Sequence, residues 1–283
     1  MSSFKYAHPE VLCETDWVAE NLKNPDIRIL EVDYDVENAY KQGHLPGAYM
    51  VRWKKDINDP TKRDIINKQQ FEKLMSGVGA TPETDIILYG DFNNWFAAFA
   101  LWVFQYYGHR KTKIMNGGRR KWEIENREYT KEEPPSKSSQ YFAQPPDEGI
   151  RAYLPDVKRA IERAETVLVD VRSPKEFSGE ITAPPEYPME HAQRGGHIPG
   201  AQNIPWGQTL REDGTFKSVD ELKALYEGRG ITSDKHVICY CRIGERSSHS
   251  WFVLKYLLGY PSVRNYDGSW TEWGNMIGNP IER

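Results

Sequence analysis

The chain carries one pattern twice, and this internal repeat limits its fold more than any other feature of its 283 residues. The hexapeptide GHLPGA at residues 43–48 returns as GHIPGA at 196–201. Residues 89–122 align without a gap with residues 240–273, so the spacing between motifs is kept as well as their order. A self-similarity of this extent indicates two copies of one structural unit.

Each copy alternates short apolar runs with longer segments of helical character. The runs begin with IRILEV at residues 27–32 and DIILY at 85–89, and they are answered by TVLVD at 166–170 and HVICY at 236–240. Short apolar runs separated by helices are typical of parallel strands joined by crossover helices. We therefore predict an α/β fold with two tandem domains related by duplication, each a mainly parallel sheet flanked by helices.

The composition changes between the two copies. Residues 125–149 contain two proline pairs, many charges and few aliphatic side chains. Such a segment is typical of an extended connection between domains. The sequence thus predicts a first domain over residues 1–124, a linker over 125–149 and a second domain over 150–283.

A short polar loop, Cys241 to Arg246, follows the apolar run at 236–240 and precedes an apolar helical segment. Ligands of parallel sheets bind beyond the carboxyl ends of the strands, which is where this loop falls. Backbone N–H groups that converge at the start of a helix favour an anion. We expect these groups, together with the guanidinium groups of Arg242 and Arg246, to lower the pKa of the Cys241 thiol and make it reactive.

The two copies differ at this loop. Gly90 stands at the position of Cys241 in the ungapped alignment, and residues 91–95 (DFNNW) replace RIGER at 242–246. One half keeps a cysteine and two arginines, and the other half has neither. The sequence therefore predicts that only the second half is reactive.

Charge and composition exclude several classes of protein. The net charge of −4 gives no basic surface for nucleic acid, and no apolar run is long enough for a membrane span or a signal peptide. We therefore expect a soluble, cytoplasmic protein. The three cysteines are too few and too irregularly spaced for a disulfide framework or a zinc site, and no cofactor-binding motif is present.

Four features resemble one known family when taken together. They are the GHIPGA segment, the loop that opens with cysteine after a buried strand, the DGSWTEW sequence at residues 267–273, and the duplication. This combination resembles the two-domain rhodaneses, which are the thiosulfate and 3-mercaptopyruvate sulfurtransferases. The resemblance implies two rhodanese-like domains, an inactive first one and a catalytic second one.

The resemblance also implies a ping-pong reaction without a cofactor. Cys241 would attack the outer sulfur of thiosulfate, release sulfite, and hold a persulfide that passes to cyanide or to a thiol acceptor. The implied partners are thus a small anionic sulfur donor and such an acceptor, and no protein partner is indicated. The implied substrate-binding residues are those of the loop and one arginine ahead of GHIPGA: Arg242, Ile243, Gly244, Glu245, Arg246, Ser247 and Arg194.

Three other functions remain open. Mercaptopyruvate sulfurtransferases carry a smaller and less charged loop, whereas Arg242 and Arg246 favour the thiosulfate dianion. A phosphatase or arsenate reductase places five residues between its cysteine and arginine, but only four separate Cys241 from Arg246. A persulfide carrier needs the same thiolate as the enzyme, so the sequence does not separate these two functions.

Two charged residues near the site carry further expectations. Glu245 departs from the family pattern and would repel thiosulfate unless it pairs with Arg242, Arg246 or another cation. Arg172, two residues after the first strand of the second copy, is expected to pair with Glu176 near the pocket.

Overall fold

A computed structural model describes residues 5–184 and 190–283 of the chain. The chain divides into two compact units. The N-terminal unit comprises residues 10–147 and 212–216, and the C-terminal unit comprises residues 5–9, 148–211 and 217–283. Most of the predicted linker, residues 125–147, thus belongs to the N-terminal unit. The first four residues of the predicted domain 1–124 lie outside the described residues.

The N-terminal unit is built on a five-stranded parallel sheet in the order β1-β7-β6-β2-β3, with β4 and β5 forming a small antiparallel pair. Its strands are β1 Leu12–Cys13, β2 Ile27–Asp33, β3 Tyr49–Arg52, β4 Asn58–Asp59, β5 Asp64–Ile65, β6 Asp85–Tyr89 and β7 Thr112–Met115. Its helices are α1 Thr15–Asn21, α2 Trp53–Asp56, α3 Lys68–Gly77, α4 Asp91–Tyr106 and α5 Gly118–Ile124.

The C-terminal unit is built on a four-stranded parallel sheet in the order β11-β10-β8-β9. Its strands are β8 Thr166–Asp170, β9 Gln202–Asn203, β10 His236–Tyr240 and β11 Val263–Asn265. Its helices are α6 Leu154–Ala160, α7 Pro174–Ser178, α8 Val219–Glu227, α9 Glu245–Phe252 and α10 Ser269–Asn275, and a π-helical turn, Val253–Leu257, extends α9.

The two sheets repeat one order of strands. The order β7-β6-β2-β3 in the first unit corresponds to β11-β10-β8-β9 in the second, and the first unit adds β1 at one edge. One side-chain contact is repeated as well. The hydroxyl of Tyr89 accepts the N–H of Leu45, and that of Tyr240 accepts the N–H of Ile198, at 2.9 and 3.1 Å. The predicted fold class, two tandem α/β domains with mainly parallel sheets flanked by helices, is confirmed.

Strand β10 lies in the interior of its sheet and positions the cysteine. Residues 237–239 pair with residues 263–265 of β11 on one side, and residues 236–240 pair with β8 on the other. Val237 to Tyr240 are all buried, as expected for a parallel strand with both faces covered. Cys241 follows directly at the carboxyl end of this strand.

Within the described residues, no helix has the length and the apolar composition that spanning a bilayer requires.

Candidate active site

The residues 241–246, here called the cysteine loop, turn the chain from β10 into α9. Gly244 has a φ of +105°, a conformation that side chains disfavour, and helix α9 begins at the next residue. This turn directs the N–H of Gly244 to the Sγ atom of Cys241, at 3.1 Å. The sulfur is thus held at the N-terminal end of α9, where N–H groups and the helix dipole favour negative charge.

The other polar groups around the sulfur come from the loop and from two further segments. Glu245 Oε2 lies 3.5 Å from Sγ, and Ser247 Oγ lies 3.6 Å from it. Ser247 Oγ is also 2.6 Å from Asn265 Oδ1 at the end of β11. Ser269, the first residue of α10, accepts the backbone N–H of Cys241 at 3.1 Å. Cys241 therefore has one carboxylate, one hydroxyl and one N–H group close to its sulfur.

The expected low pKa of the Cys241 thiol is wrong for the resting structure. Burial raises the pKa of this thiol, the charge of Glu245 raises it further, and the charge of Arg246 and hydrogen bonds from Ser247 lower it only in part. Cys241 has no exposed surface, and desolvation disfavours an ion. The nearby arginines, on which the expected low pKa depended, have a smaller effect than burial.

Arg246 is committed to a carboxylate. Its two terminal nitrogens each lie 2.9 Å from an oxygen of Glu176 in α7, and its Nε lies 3.7 Å from Glu245 Oε1. Burial opposes ionisation of Glu176, but the charge and hydrogen bonds of Arg246, the charge of Arg172 and the N–H of Ser173 together outweigh it and lower the pKa of this carboxyl to about 2. The positive charge near the sulfur is thus largely compensated within the protein.

The expected pairing of Arg172 with Glu176 is wrong. Arg172 instead forms an ion pair with Asp170, with Nη2 2.5 Å and Nε 2.9 Å from its carboxylate oxygens, and Nη2 also donates to the carbonyl of Gly196. Both side chains of this pair are fully buried. Asp170 and Arg172 are only two residues apart at the end of β8, so the ion pair is a local contact.

The structure brings together the loop residues predicted as a site. Arg242, Ile243, Gly244, Glu245, Arg246 and Ser247 are all buried around Cys241 or directly next to it. Arg194 has a different position. Its guanidinium donates to the carbonyls of Gly274, Met276 and Asn279 at 2.8, 2.8 and 2.9 Å. These bonds hold Arg194 against residues 274–279, and its predicted part in substrate binding stays a prediction.

Sequence reasoning did not assign Glu176, Asn265 and Ser269 to the site. Glu176 stands three residues after Ser173 and forms a capping box with it, a pattern that identifies the start of α7 but not the pairing with Arg246. Ser269 has a φ of +52° and aligns with Gly118, whose φ is +53°. The ungapped alignment could have identified Ser269, because a serine at a position where the other copy has glycine indicates that the side chain has a role there.

The corresponding loop of the N-terminal unit has no space for a cysteine. A Cβ atom at Gly90 would lie 2.0 Å from the carbonyl oxygen of Val32. Residues 92–94 are left-handed, and Asn94, which aligns with Glu245, accepts the N–H of Gly90 and donates to the carbonyl of Met115. The first unit thus closes this position with its own hydrogen bonds.

A family model matches the chain in both halves. The model describes the rhodanese-like domain and matches residues 14–125 and 154–276. The chain belongs to the rhodanese family. The two matched segments coincide with the two copies of the repeat, so the predicted resemblance to the two-domain rhodaneses is confirmed.

Full-length relatives carry two kinds of name. The chain is 56% identical to the sulfur carrier protein TtuD of Thermus thermophilus, over 98% of each chain. It is 52% identical to a protein of Saccharopolyspora erythraea named "Putative thiosulfate sulfurtransferase", over 96% of each chain. A protein of the same name in Haloferax volcanii is 51% identical, over 100% of this chain and 99% of its own length.

Solved structures with the same fold include EanB. The wild-type structure of EanB matches with a TM-score of 0.87 and 25% identity, over 98% of this chain and 70% of EanB. The anaerobic ergothioneine biosynthesis enzyme of Chlorobium limicola matches with a TM-score of 0.86 and 25% identity, over 97% of this chain and 70% of its own. One EanB structure carries a cysteine persulfide.

Proposed function

We propose that this chain is a thiosulfate sulfurtransferase that moves sulfane sulfur through a persulfide on Cys241. The observation that carries the proposal is the position of the Cys241 sulfur, 3.1 Å from the N–H of Gly244 at the start of α9, in a rhodanese domain. The relatives named as thiosulfate sulfurtransferases at 51–52% identity over almost the whole chain support it. The EanB persulfide supports the intermediate.

The first half-reaction forms one sulfur–sulfur bond and breaks another. Cys241 loses its proton, and the thiolate attacks the outer sulfur of thiosulfate. The bond between the two sulfurs of thiosulfate breaks, and its electron pair leaves with sulfite. The N–H of Gly244 stabilises the thiolate before attack and the shared charge during it, because it already points to Sγ.

The second half-reaction returns the enzyme to its starting state. A nucleophilic acceptor, cyanide or a thiolate, attacks the terminal sulfur of the persulfide. The bond between the two sulfurs breaks, and its electron pair remains on Cys241. Both half-reactions require access to a sulfur that has no exposed surface in the resting structure, so neighbouring groups must move when a donor or acceptor enters.

A second candidate is a sulfur carrier with little turnover of free substrates. The similarity to a protein named as a sulfur carrier, at 56% identity over 98% of both chains, favours it. Carrier and enzyme share the persulfide on Cys241 and differ in how readily that sulfur leaves to a small acceptor. A mercaptopyruvate sulfurtransferase differs instead in the donor.

One experiment separates these functions. The protein is incubated with thiosulfate, and its peptides are analysed by mass spectrometry with and without cyanide. We expect one added sulfur on the peptide containing Cys241, loss of that sulfur with thiocyanate formation when cyanide is added, and no added sulfur in Cys241→Ser. Sulfur that loads but does not pass to cyanide would identify a carrier. Faster loading from mercaptopyruvate than from thiosulfate would overturn the proposed donor.

A further inference from the structure

Glu245 is a buried carboxylate whose nearest hydrogen-bond donor is the cysteine. Its side chain has no exposed surface, and Oε2 lies 3.5 Å from Cys241 Sγ in a geometry in which the thiol donates. Within the described residues, Oε1 accepts no hydrogen bond and lies 3.7 Å from Arg246 Nε. Oε2 of Glu245 is thus placed to receive the thiol proton of Cys241.

The carboxylate occurs only in the half that has the thiol. Asn94 takes the position of Glu245 in the ungapped alignment, and Gly90 takes that of Cys241. Both polar atoms of the Asn94 side chain are used in hydrogen bonds with the backbone. An amide at this position makes the hydrogen bonds that stabilise the loop in the first unit, so the fold does not require a carboxylate there.

The charged groups around the pair come from four elements. Arg246 of α9 faces Glu245 but is shared with Glu176 of α7. Asp267, after β11, packs against Gly244 and is itself paired with Arg151 at 2.7 Å. Arg242 is buried at the start of the loop. Asp267 and Glu176 are thus each paired with an arginine. Glu245 is the carboxylate that lies within hydrogen-bond reach of the thiol.

We propose that Glu245 is the general base that takes the thiol proton of Cys241. The S–H bond breaks, an O–H bond forms at Oε2, and the electron pair of the S–H bond stays on the sulfur as a thiolate. When the persulfide later gives up its terminal sulfur, the thiolate recovers the proton from Glu245. This role rests on the proposed function for its place in the reaction, but the proton transfer is a property of the resting site.

Proton transfer moves the negative charge of the pair from Glu245 to the sulfur that attacks the donor. With the proton on the sulfur, a dianion entering the site would meet an ionised carboxylate. With the proton on Glu245, the carboxyl is neutral and the negative charge lies on the atom that attacks. The charge of the pair is the same in both states, so the transfer needs no ion from solvent and is compatible with a buried site.

The test is the pH profile of Cys241 alkylation by iodoacetamide, measured by peptide mass spectrometry in the wild type, Glu245→Gln and Glu245→Asp. Iodoacetamide is neutral, so removing the Glu245 charge does not change its attraction to the site. We expect a rate that changes little between pH 6 and 8 in the wild type, because the proton only moves within the pair. In Glu245→Gln we expect a rate about 100-fold lower at pH 6, which rises about tenfold per pH unit. Glu245→Asp should restore the flat profile at a lower rate.

The opposite result has a distinct form. If Glu245 only repels the thiolate, Glu245→Gln is alkylated as fast as the wild type or faster at pH 6, and the proposal is wrong. A wild-type rate that itself rises tenfold per pH unit would also overturn it. Thermal unfolding of all three proteins identifies a variant that fails to fold. If Glu245→Gln does not fold, Glu245→Asp decides: a flat profile supports the proposal, and a rate that rises tenfold per pH unit overturns it.

A parallel measurement of sulfur loading from thiosulfate keeps the two proposals separate. A flat alkylation profile together with no added sulfur on Cys241 would overturn the proposed function and leave the role of Glu245 standing. Added sulfur with a steep alkylation profile would do the reverse.

Discussion

Burial is the largest influence on the Cys241 thiol, and its reactivity must come from groups fixed within hydrogen-bond reach. Reactive cysteines are usually exposed in part and surrounded by net positive charge. Here the sulfur is buried and Arg246 is paired with Glu176. An N–H group, a hydroxyl and a carboxylate within 3.6 Å replace the net charge. In such a site, the Cys241 thiolate forms only if a nearby group accepts the proton of the thiol.

Glu176→Gln should destabilise the protein by about 3 kcal/mol at neutral pH, because it leaves the buried charge of Arg246 without its carboxylate. The pKa of Glu176 is lowered to about 2 in the folded state, from about 4.5. A lowered pKa contributes stability above the unfolded value that is lost as the pH falls toward the folded one. The difference between wild type and variant should therefore shrink by more than half between pH 7 and pH 3.

Urea unfolding at the two pH values measures this difference. Lys175→Gln is a matched control, since Lys175 pairs with Glu180 on the exposed side of the same helix. It should change stability by less than about 1 kcal/mol at either pH. An equal loss for Glu176→Gln at pH 7 and pH 3 would mean that packing, and not the ion pair, accounts for its effect.

At the scale of elements, the position of the Cys241 sulfur depends on the backbone conformation of Gly244, in the loop between β10 and α9. Gly244 has a φ of +105°, and an added Cβ would lie 2.9 Å from Cα and Cβ of Asp267. Alanine there is strained twice, by the backbone conformation and by contact with fixed atoms. Relief of that strain would turn the N–H of this residue away from Cys241 Sγ.

Gly244→Ala should therefore lower stability by about 1–3 kcal/mol and slow the loading of sulfur on Cys241 by about tenfold or more. Gly230→Ala is the matched control. Its φ is +73°, and no atom lies within 4 Å of an added Cβ. It has the backbone strain without the contact, so it should lose no more stability than Gly244→Ala and load sulfur at the wild-type rate. Equal loading rates in the two variants, measured by single-turnover mass spectrometry, would show that the N–H of Gly244 does not assist the reaction.

The sequence predicted the elements well where the repeat and the apolar runs define them. The strand before Cys241, the loop and the helix after it follow from local pattern, as does the loss of the cysteine at Gly90. The partner of Arg246 could not be predicted, because Glu176 is 70 residues away and Glu245 is next to Arg246 in the sequence. The left-handed residues 92–94 were also beyond prediction, since no glycine marks them.

The prediction of a low pKa for Cys241 was wrong for a different physical reason. Sequence shows which charges are near along the chain but not whether water reaches them. The prediction used the attraction between the thiolate and the arginines, which is real, and omitted desolvation, which is larger. Whether a side chain is buried depends on the packing of the whole unit around it.

At the scale of the whole molecule, the two units share one order of strands, but the pKa values of their buried acids are shifted in opposite directions. In the C-terminal unit, Glu176 is ionised beside Arg246. In the N-terminal unit, burial and the charge of Asp33 raise the pKa of Asp91 and that of Glu31 to about 8 each, although Arg119 pairs with Glu31. In the C-terminal unit the pKa of a buried acid is thus lowered, and in the N-terminal unit the pKa values of two buried acids are raised.

The two units should therefore lose stability at opposite ends of the pH range. A raised pKa in the folded state contributes stability that is present below the unfolded value and lost as the pH rises through the folded one. Opening of the N-terminal sheet should become easier by about 3 kcal/mol or more between pH 5.5 and 8.5, while that of the C-terminal sheet changes little. Hydrogen exchange of peptides from β6 and β10, corrected for the intrinsic rate at each pH, measures both in one sample. Asp91→Asn removes one of the two acids while keeping an oxygen for the N–H groups of Tyr34 and Asp35. It should therefore weaken the response of β6, to which Glu31 still contributes, and leave β10 unchanged. A parallel loss in both sheets would mean that the molecule opens as one cooperative unit and that the buried acids do not act separately.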